Sequence, residues 1–85
     1  MSLNNLRDQV ADFLNKLKEN KFTEDDILNE IENKLSIIRS SRDDDNEYRH
    51  QIYDILYLLL ELAAKHNYDL DDEWQKGQIR KQKYL

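Results

Sequence analysis

The scarcity of turn-forming residues constrains this fold more than any other feature of the sequence. The chain of 85 residues contains one glycine, Gly77, and no proline. Tight turns between β-strands depend on glycine or on Asn-Gly pairs, because their central residues adopt positive φ angles. One glycine cannot supply the several turns of a sheet, so the sequence predicts an all-α fold. The length predicts a single domain over residues 1–85, since domains typically have about 100–150 residues.

The net charge and the absence of cysteine exclude several classes of function. The chain has 18 acidic and 13 basic residues, which gives a net charge of −5. Proteins bind duplex nucleic acids largely by neutralising phosphates, so we expect no binding of this kind and no such partner. The lack of cysteine excludes a disulfide framework, a thiolate metal site and a cysteine nucleophile. The N-terminal residues lack the pattern of a secretory signal, in which a basic segment is followed by an apolar one. We therefore expect a cytoplasmic protein.

The spacing of apolar residues predicts the first two helices. The first covers residues 4–19, with an apolar stripe formed by Leu6, Val10, Phe13, Leu14 and Leu17. Thr23 is followed by three acidic residues, which is typical of an N-cap and the first turn of a second helix. The apolar stripe of this second helix consists of Ile27, Leu28, Ile31, Leu35 and Ile38. The polar stretch 39–46 is predicted to be a loop.

The third segment is apolar around nearly its whole circumference. From Ile52 to Ala64, 11 of 13 residues are apolar, and only Asp54 and Glu61 interrupt them. A membrane span needs about 20 residues, so we predict none here. We expect a core helix, the least exposed of the chain, which packs on its own chain with one face and on a partner chain with another. In this interpretation Leu59 lies in the core and Glu61 does not.

A fourth helix is predicted to follow closely. Asn67 lies at the predicted end of the third helix, and Asp69 can cap the next one. Acidic residues come first in this last segment and basic residues come last, an order that complements the helix dipole. We expect the helix to run toward Tyr84 and Trp74 to anchor it to the bundle.

The carboxylates of the third helix are the first candidates for chemistry. Asp54 lies on an otherwise apolar helix, so it must be solvated, paired or bound to a metal. Glu47, Asp54 and Glu61 are spaced by seven and form one stripe with Gln51. In one interpretation this stripe is a polar seam that faces water. In the other, its first members form one side of a site for a hard cation such as Mg²⁺. Two residues of the second helix would supply the opposite side: Glu30 and Asn33.

Three features in a fixed order suggest a family. The second helix carries Glu30 and Asn33 three residues apart, the third opens with Gln51 and Asp54 at the same spacing, and the chain ends its last helix in Lys-Tyr. Together with the apolar run that follows Gln51, this order resembles the MazG-like all-α nucleoside triphosphate pyrophosphohydrolases. The resemblance implies a dimeric helical bundle in which four carboxylates from two helices hold Mg²⁺. The metal orients a triphosphate, and water splits it into a monophosphate and pyrophosphate.

The resemblance assigns roles to individual residues and also shows what this chain lacks. Glu30 and Asp54 would be the metal ligands, and with Glu47 they would form the catalytic group. Asn33 and Gln51 stand where the family has glutamates, so only two of the four carboxylates are kept. Lower ligand charge weakens the attraction to Mg²⁺, so we expect a weak or absent metal site. Contacts to the substrate would come from Asn33 and Gln51 and from basic residues of the last helix: Lys76, Arg80 and Lys83.

Two functions stay open on the sequence, and a third class, a small acidic regulator such as an immunity protein or antitoxin, fits the size and charge but has no supporting motif. The first is a MazG-like domain that binds nucleoside triphosphates, or hydrolyses them with Mg²⁺, with reduced or lost activity. The second is a non-catalytic, homo-oligomeric helical module that binds a protein partner. Both imply that the chain assembles with itself into a homodimer or a larger bundle.

Overall fold

The computed structural model describes residues 2–17 and 22–85. Within these ranges the chain forms four α-helices and no β-strand, which confirms the all-α prediction. The helices are α1 (Leu3–Lys16), α2 (Glu24–Ser40), α3 (Asp45–His66) and α4 (Leu70–Lys81), and a short 3₁₀ turn follows at Gln82–Tyr84.

Each α-helix is preceded by an N-cap residue, whose side chain accepts a hydrogen bond from a backbone N–H group of the first turn. Thr23 and Asp26 form a reciprocal capping box, in which each side chain accepts a hydrogen bond from the backbone N–H of the other, at 3.1 and 2.9 Å. Asp69 accepts from the N–H of Asp72 at 2.9 Å. Both predicted N-caps are therefore confirmed. Ser2 and Asp44 cap α1 and α3 in the same way.

The predicted ends of the first and third helices differ in outcome. α1 ends at Lys16 and its C-cap Leu17 has an extended backbone, so the predicted helix over residues 4–19 is too long at that position. Residues 18 and 19 lie outside the described residues. The predicted end of α3 is confirmed: the helix ends at His66, and Asn67 adopts a left-handed conformation with φ 53°. Asparagine tolerates this conformation better than most residues, which makes it a suitable helix stop.

The predicted loop between the second and third helices is confirmed, but it is shorter than the predicted stretch 39–46. α2 continues through Ser40 and α3 begins at Asp45, so only residues 41–44 connect them. The Ser40 hydroxyl donates to the carbonyl of Ile37 at 3.0 Å, within the last turn of α2. Asp45 pairs with Arg49 at 2.9 Å across the first turn of α3. Local pairs of this kind let a polar sequence continue as a water-facing helix.

α3 lies at the centre of the fold, with α1 and α2 both packed against it. Six described residues are buried, and four of them belong to this helix: Gln51, Leu60, Glu61 and Ala63. The other two are Val10 of α1 and Ile27 of α2. The centre of the fold therefore contains an amide and a carboxylate beside only four apolar side chains.

α4 packs on the beginning of α1, where hydrogen bonds join the two helices. The Leu3 N–H donates to the Asp71 carboxylate at 2.9 Å, and the Asn4 side chain both donates to Asp69 and accepts from the Leu70 N–H. Trp74 is 58% exposed, so the prediction that it anchors α4 is wrong. Hydrogen bonds at the helix start make this connection instead.

The faces of α3 differ from the prediction. Leu59, predicted to lie in the core, is 49% exposed, whereas Glu61 is only 5% exposed. Gln51 is buried as well, so the interpretation of the polar stripe as a seam facing water is also wrong. A helix that is apolar all round has no periodicity to mark its inner side. Across residues 2–17 and 22–85, no helix combines the length and the apolar character needed to span a membrane.

Candidate functional site

An open cleft of about 770 Å³ is lined by residues of α1, α2 and α3. Most of the lining is apolar, but Glu30 and Asp54 both belong to it. These two carboxylates come from different helices, as the sequence predicts for the two sides of one site. The volume lies in the range of small-molecule sites, about 300–1,000 Å³.

A lysine joins the two carboxylates in this cleft. Lys34 Nζ lies 3.2 Å from Asp54 Oδ2 and 3.9 Å from Glu30 Oε1. The Lys34 and Asp54 side chains are only 21% and 22% exposed. His50 Nε2 also lies 3.2 Å from the same Asp54 oxygen. Asp54 is therefore a paired residue, and its main partner bridges α2 to α3.

Sequence reasoning missed Lys34, although a signal for it exists. Lys34 follows Glu30 by four residues and Asp54 follows His50 by four, a spacing that places side chains side by side on one helix. Each helix thus brings a carboxylate with a nitrogen-bearing neighbour. Their meeting across α2 and α3 depends on helix packing, which spacing alone does not determine.

The polar stripe of α3 divides into separate groups. Gln51 Nε2 donates to Glu47 Oε1 at 2.7 Å, so these two predicted site residues pair with each other. Gln51 Oε1 is buried and accepts no hydrogen bond from any described residue. An unpaired buried oxygen reduces stability by about 1–3 kcal/mol.

Glu61, two turns beyond Asp54, lies in a different environment. It is buried, and no residue that the structure describes forms a hydrogen bond or an ion pair with it. Burial raises the pKa of this carboxyl, and the nearby charge of Lys65 only partly opposes the shift. Burial, together with the charge of Glu61, also raises the pKa of the Tyr57 phenol.

The predicted phosphate contacts are not brought to this cleft. Lys76 and Arg80 lie on α4 and Lys83 on the 3₁₀ turn, and none of them is among the cleft residues. Lys76 instead pairs with Asp72 at 2.9 Å on its own helix, and this hydrogen bond raises the pKa of Lys76. Asn33 is exposed on α2 and also lies outside the cleft.

The described residues do not fit a Mg²⁺ ion between Glu30 and Asp54. The ammonium of Lys34 already lies between the two carboxylates, and it would repel a divalent cation there. Within the described ranges no three acidic or histidine side chains form a group that could hold a metal ion. The metal-ligand and catalytic roles of Glu30, Asp54 and Glu47 stay predictions, and no catalytic step is assigned to them.

The sequence resemblance also stays a prediction. Comparison with protein-family models, with curated proteins and with solved structures finds no match to this chain.

Proposed function

We propose that this chain is a self-associating helical module in which α3 packs against a second copy. One observation carries the proposal. Between residues 51 and 64, every exposed position of α3 holds a large apolar side chain. These four positions, called the outer face below, are Ile52, Tyr53, Leu56 and Leu59, and their exposure ranges from 45% to 60%.

The inner side of the same helix makes the outer face unusual. Gln51 and Glu61 are buried there, although amides and carboxylates are among the residues most often left in water. A central helix with polar residues inside and only apolar residues outside is typical of a chain that has a second packing surface. A contiguous apolar patch on a small protein marks an interaction site.

The outer face continues into the cleft, which widens the surface available to a partner. Tyr53 and Leu56 of the outer face line the cleft together with Phe13 of α1. Phe13 is itself 53% exposed. Helices α1 and α3 thus present one apolar surface, on which a helix from another molecule could pack.

A two-fold arrangement would pack the outer face of one copy on the same face of the other. This face carries no charge, so two copies can meet there without burying an unpaired charge. With the two-fold axis perpendicular to α3, the two copies of the helix run antiparallel, and a two-fold symmetric pair is the commonest form of homodimer.

A single introduced cysteine tests the proposal, because the chain contains none of its own. Leu56 lies in the middle of the outer face, so two-fold antiparallel packing brings it close to its own copy. We expect Leu56→Cys to give a covalent dimer with a short bis-maleimide reagent. Ile79→Cys is the matched control, since Ile79 is 66% exposed on α4. Equal yields at both positions, or no dimer from Leu56→Cys, would contradict the proposal.

A second candidate function is the MazG-like nucleotide-binding domain with reduced or lost hydrolytic activity. It is supported by one observation, that Glu30 and Asp54 line the same cleft from two helices. Calorimetric titration with nucleoside triphosphates, with and without Mg²⁺, tests it. Binding that Asp54→Asn abolishes would favour this candidate. Absence of binding in the native chain, and of pyrophosphate release in Asn33→Glu/Gln51→Glu, would exclude it.

A further inference from the structure

We propose that His66 and Glu24 form a pH-dependent link between the end of α3 and the start of α2. When the imidazole is protonated, it pairs with the Glu24 carboxylate and stacks on Tyr68 as a cation. When the proton leaves at higher pH, the ion pair is lost and the first turn of α2 is held less firmly. The inference does not depend on self-association, because all the groups belong to one chain.

His66 is the last residue of α3 and contacts two other parts of the chain. Its Nε2 lies within hydrogen-bond distance of Oε1 of Glu24, in the first turn of α2. Its ring stacks on that of Tyr68, with the ring centroids 4.8 Å apart and the planes only 8° from parallel. The turn at Asn67 returns the chain onto the helix end, where the Tyr68 N–H donates to the Ala63 carbonyl at 3.0 Å. His66 therefore joins α3 to α2 and to the turn before α4.

Three features of this position favour the charged imidazolium over the neutral ring. The Glu24 carboxylate attracts the charge directly. The C-terminal end of a helix is the negative end of its dipole, which also favours a cation. A cation over the face of a tyrosine ring gains a cation–π interaction, and the stacking on Tyr68 supplies this geometry. Because an imidazole changes its charge between about pH 5 and 8, the link responds within this range.

Three other charged residues lie near this end of α3: Lys65 on the helix itself, Arg7 of α1 and Asp69 before α4. None of the three forms an ion pair with His66 in the part of the chain that the structure describes. The two cations oppose a further positive charge there, and the carboxylate of Asp69 favours one. Glu24 is the described carboxylate in direct contact with His66, so removing its charge should remove the pH response.

The second histidine of the chain provides an internal comparison. His50 Nε2 also lies near a carboxylate, 3.2 Å from Asp54 Oδ2, but both residues belong to α3. Lys34 already pairs with the same oxygen of Asp54, so protonation of His50 has less to gain. His50 is also the more exposed of the two side chains, at 64% against 42% for His66. We therefore expect His50 to contribute less to the pH dependence of folding.

Thermal unfolding at pH 6 and pH 8, followed by circular dichroism at one protein concentration, tests the proposal. We expect His66→Gln to lower the melting temperature by about 2–4 °C more at pH 6 than at pH 8, because only the protonated link is lost. Glu24→Gln should give the same difference between the two pH values, and the double variant should not enlarge it. His50→Gln is the matched control and should lower the melting temperature about equally at both pH values.

A second control and a second variant make the result specific. Asp25→Asn removes another acidic residue from the first turn of α2, and its effect should not depend on pH in this range. His66→Lys keeps a positive charge at both pH values, so its melting temperature should fall less than that of the native chain from pH 6 to pH 8.

Two outcomes would overturn the proposal. The first is an equal loss at pH 6 and pH 8 in His66→Gln, since the contact would then act without its proton. The second is a full pH response in Glu24→Gln, since the ion pair would then not be its cause. If His66→Gln does not fold, His66→Lys decides: a smaller decline with pH than in the native chain supports the proposal, and an equal decline overturns it.

Discussion

On one side of α3 polar residues are buried, and on the other side apolar residues are exposed. The inner side, which packs on α1 and α2, carries Gln51 and Glu61 in buried positions and Asp54 in a half-buried one. The outer side carries Ile52 and Leu59, both about half exposed. A soluble helix usually shows the opposite arrangement. Under the proposed self-association, a second copy would complete the packing of this helix.

The inner side shows how its polar groups are accommodated. Asp54 is paired with Lys34, and Gln51 donates to Glu47. Glu61 has no such partner among the described residues, and the pKa of its carboxyl is raised. Within residues 2–17 and 22–85, the outer side stays about half exposed. Covering it would contribute about 25 cal/mol for each Å² of apolar surface removed from water.

The largest effect should come from substitutions that compare a buried leucine of α3 with a half-exposed one. Leu60 is 6% exposed, so Leu60→Ala should lower the free energy of unfolding by about 2–5 kcal/mol through lost transfer energy and a cavity. Leu59→Ala, at a half-exposed position of the outer face, should lower it by less than about 1.5 kcal/mol at low protein concentration. Urea unfolding measures both. Equal losses would mean that Leu59 is as well covered within one chain as Leu60.

A smaller effect is expected where the inner side carries its ion pair. Asp54→Asn leaves the ammonium of Lys34 without its main partner, so the free energy of unfolding should fall by about 1–3 kcal/mol. Asp45→Asn is the control. Asp45 pairs with Arg49, and because their side chains are 82% and 69% exposed, this ion pair should contribute no more than about 1 kcal/mol. Unchanged or increased stability of Asp54→Asn would instead suggest a carboxylate kept for ligand binding at the expense of stability.

The smallest effect concerns the unpaired carboxyl of the inner side. Because burial raises the pKa of Glu61 above its usual value near 4.5, the folded state holds this proton more tightly than the unfolded state. Its contribution to stability is then greatest below pH 4.5 and is lost as the pH rises through the higher folded value. Glu61→Gln removes this titration.

We therefore expect Glu61→Gln to lose less stability than the native chain between acidic and neutral pH, and to be equally or more stable at neutral pH. Urea unfolding across this pH range measures the difference between the two proteins. Glu32→Gln, an exposed residue of α2, is the control for the loss of one negative charge. A steeper decline in Glu61→Gln than in the native chain would show that the charged carboxylate is stabilised in the fold.

Local sequence signals predicted the parts of the fold that depend on near neighbours. Thr23 and Asp69 were identified as N-caps because a capping side chain bonds to a backbone group only three residues away. Asn67 marked the end of α3 for a similar reason. The polar stretch around Ser40 misled the prediction, since charged and hydroxyl side chains suit a solvated helix end as well as a loop.

Features that depend on packing between helices could not be predicted in the same way. The nearly uniform apolar surface of α3 gave no indication that Leu59 faces outward and Glu61 inward. The sequence placed Glu30 and Asp54 in one cleft, but not the ammonium of Lys34 between them. The position of a flexible side chain between two helices follows from their relative rotation, which spacing along either helix does not determine.

The mass of the native chain in solution tests the central claim most directly. If a second copy covers the outer face of α3, static light scattering at micromolar concentration should give at least twice the chain mass of 10.3 kDa. Leu56→Glu, which places a charge in the middle of the outer face, should reduce the measured mass toward that of one chain. A monodisperse native protein of 10.3 kDa at this concentration would contradict the account.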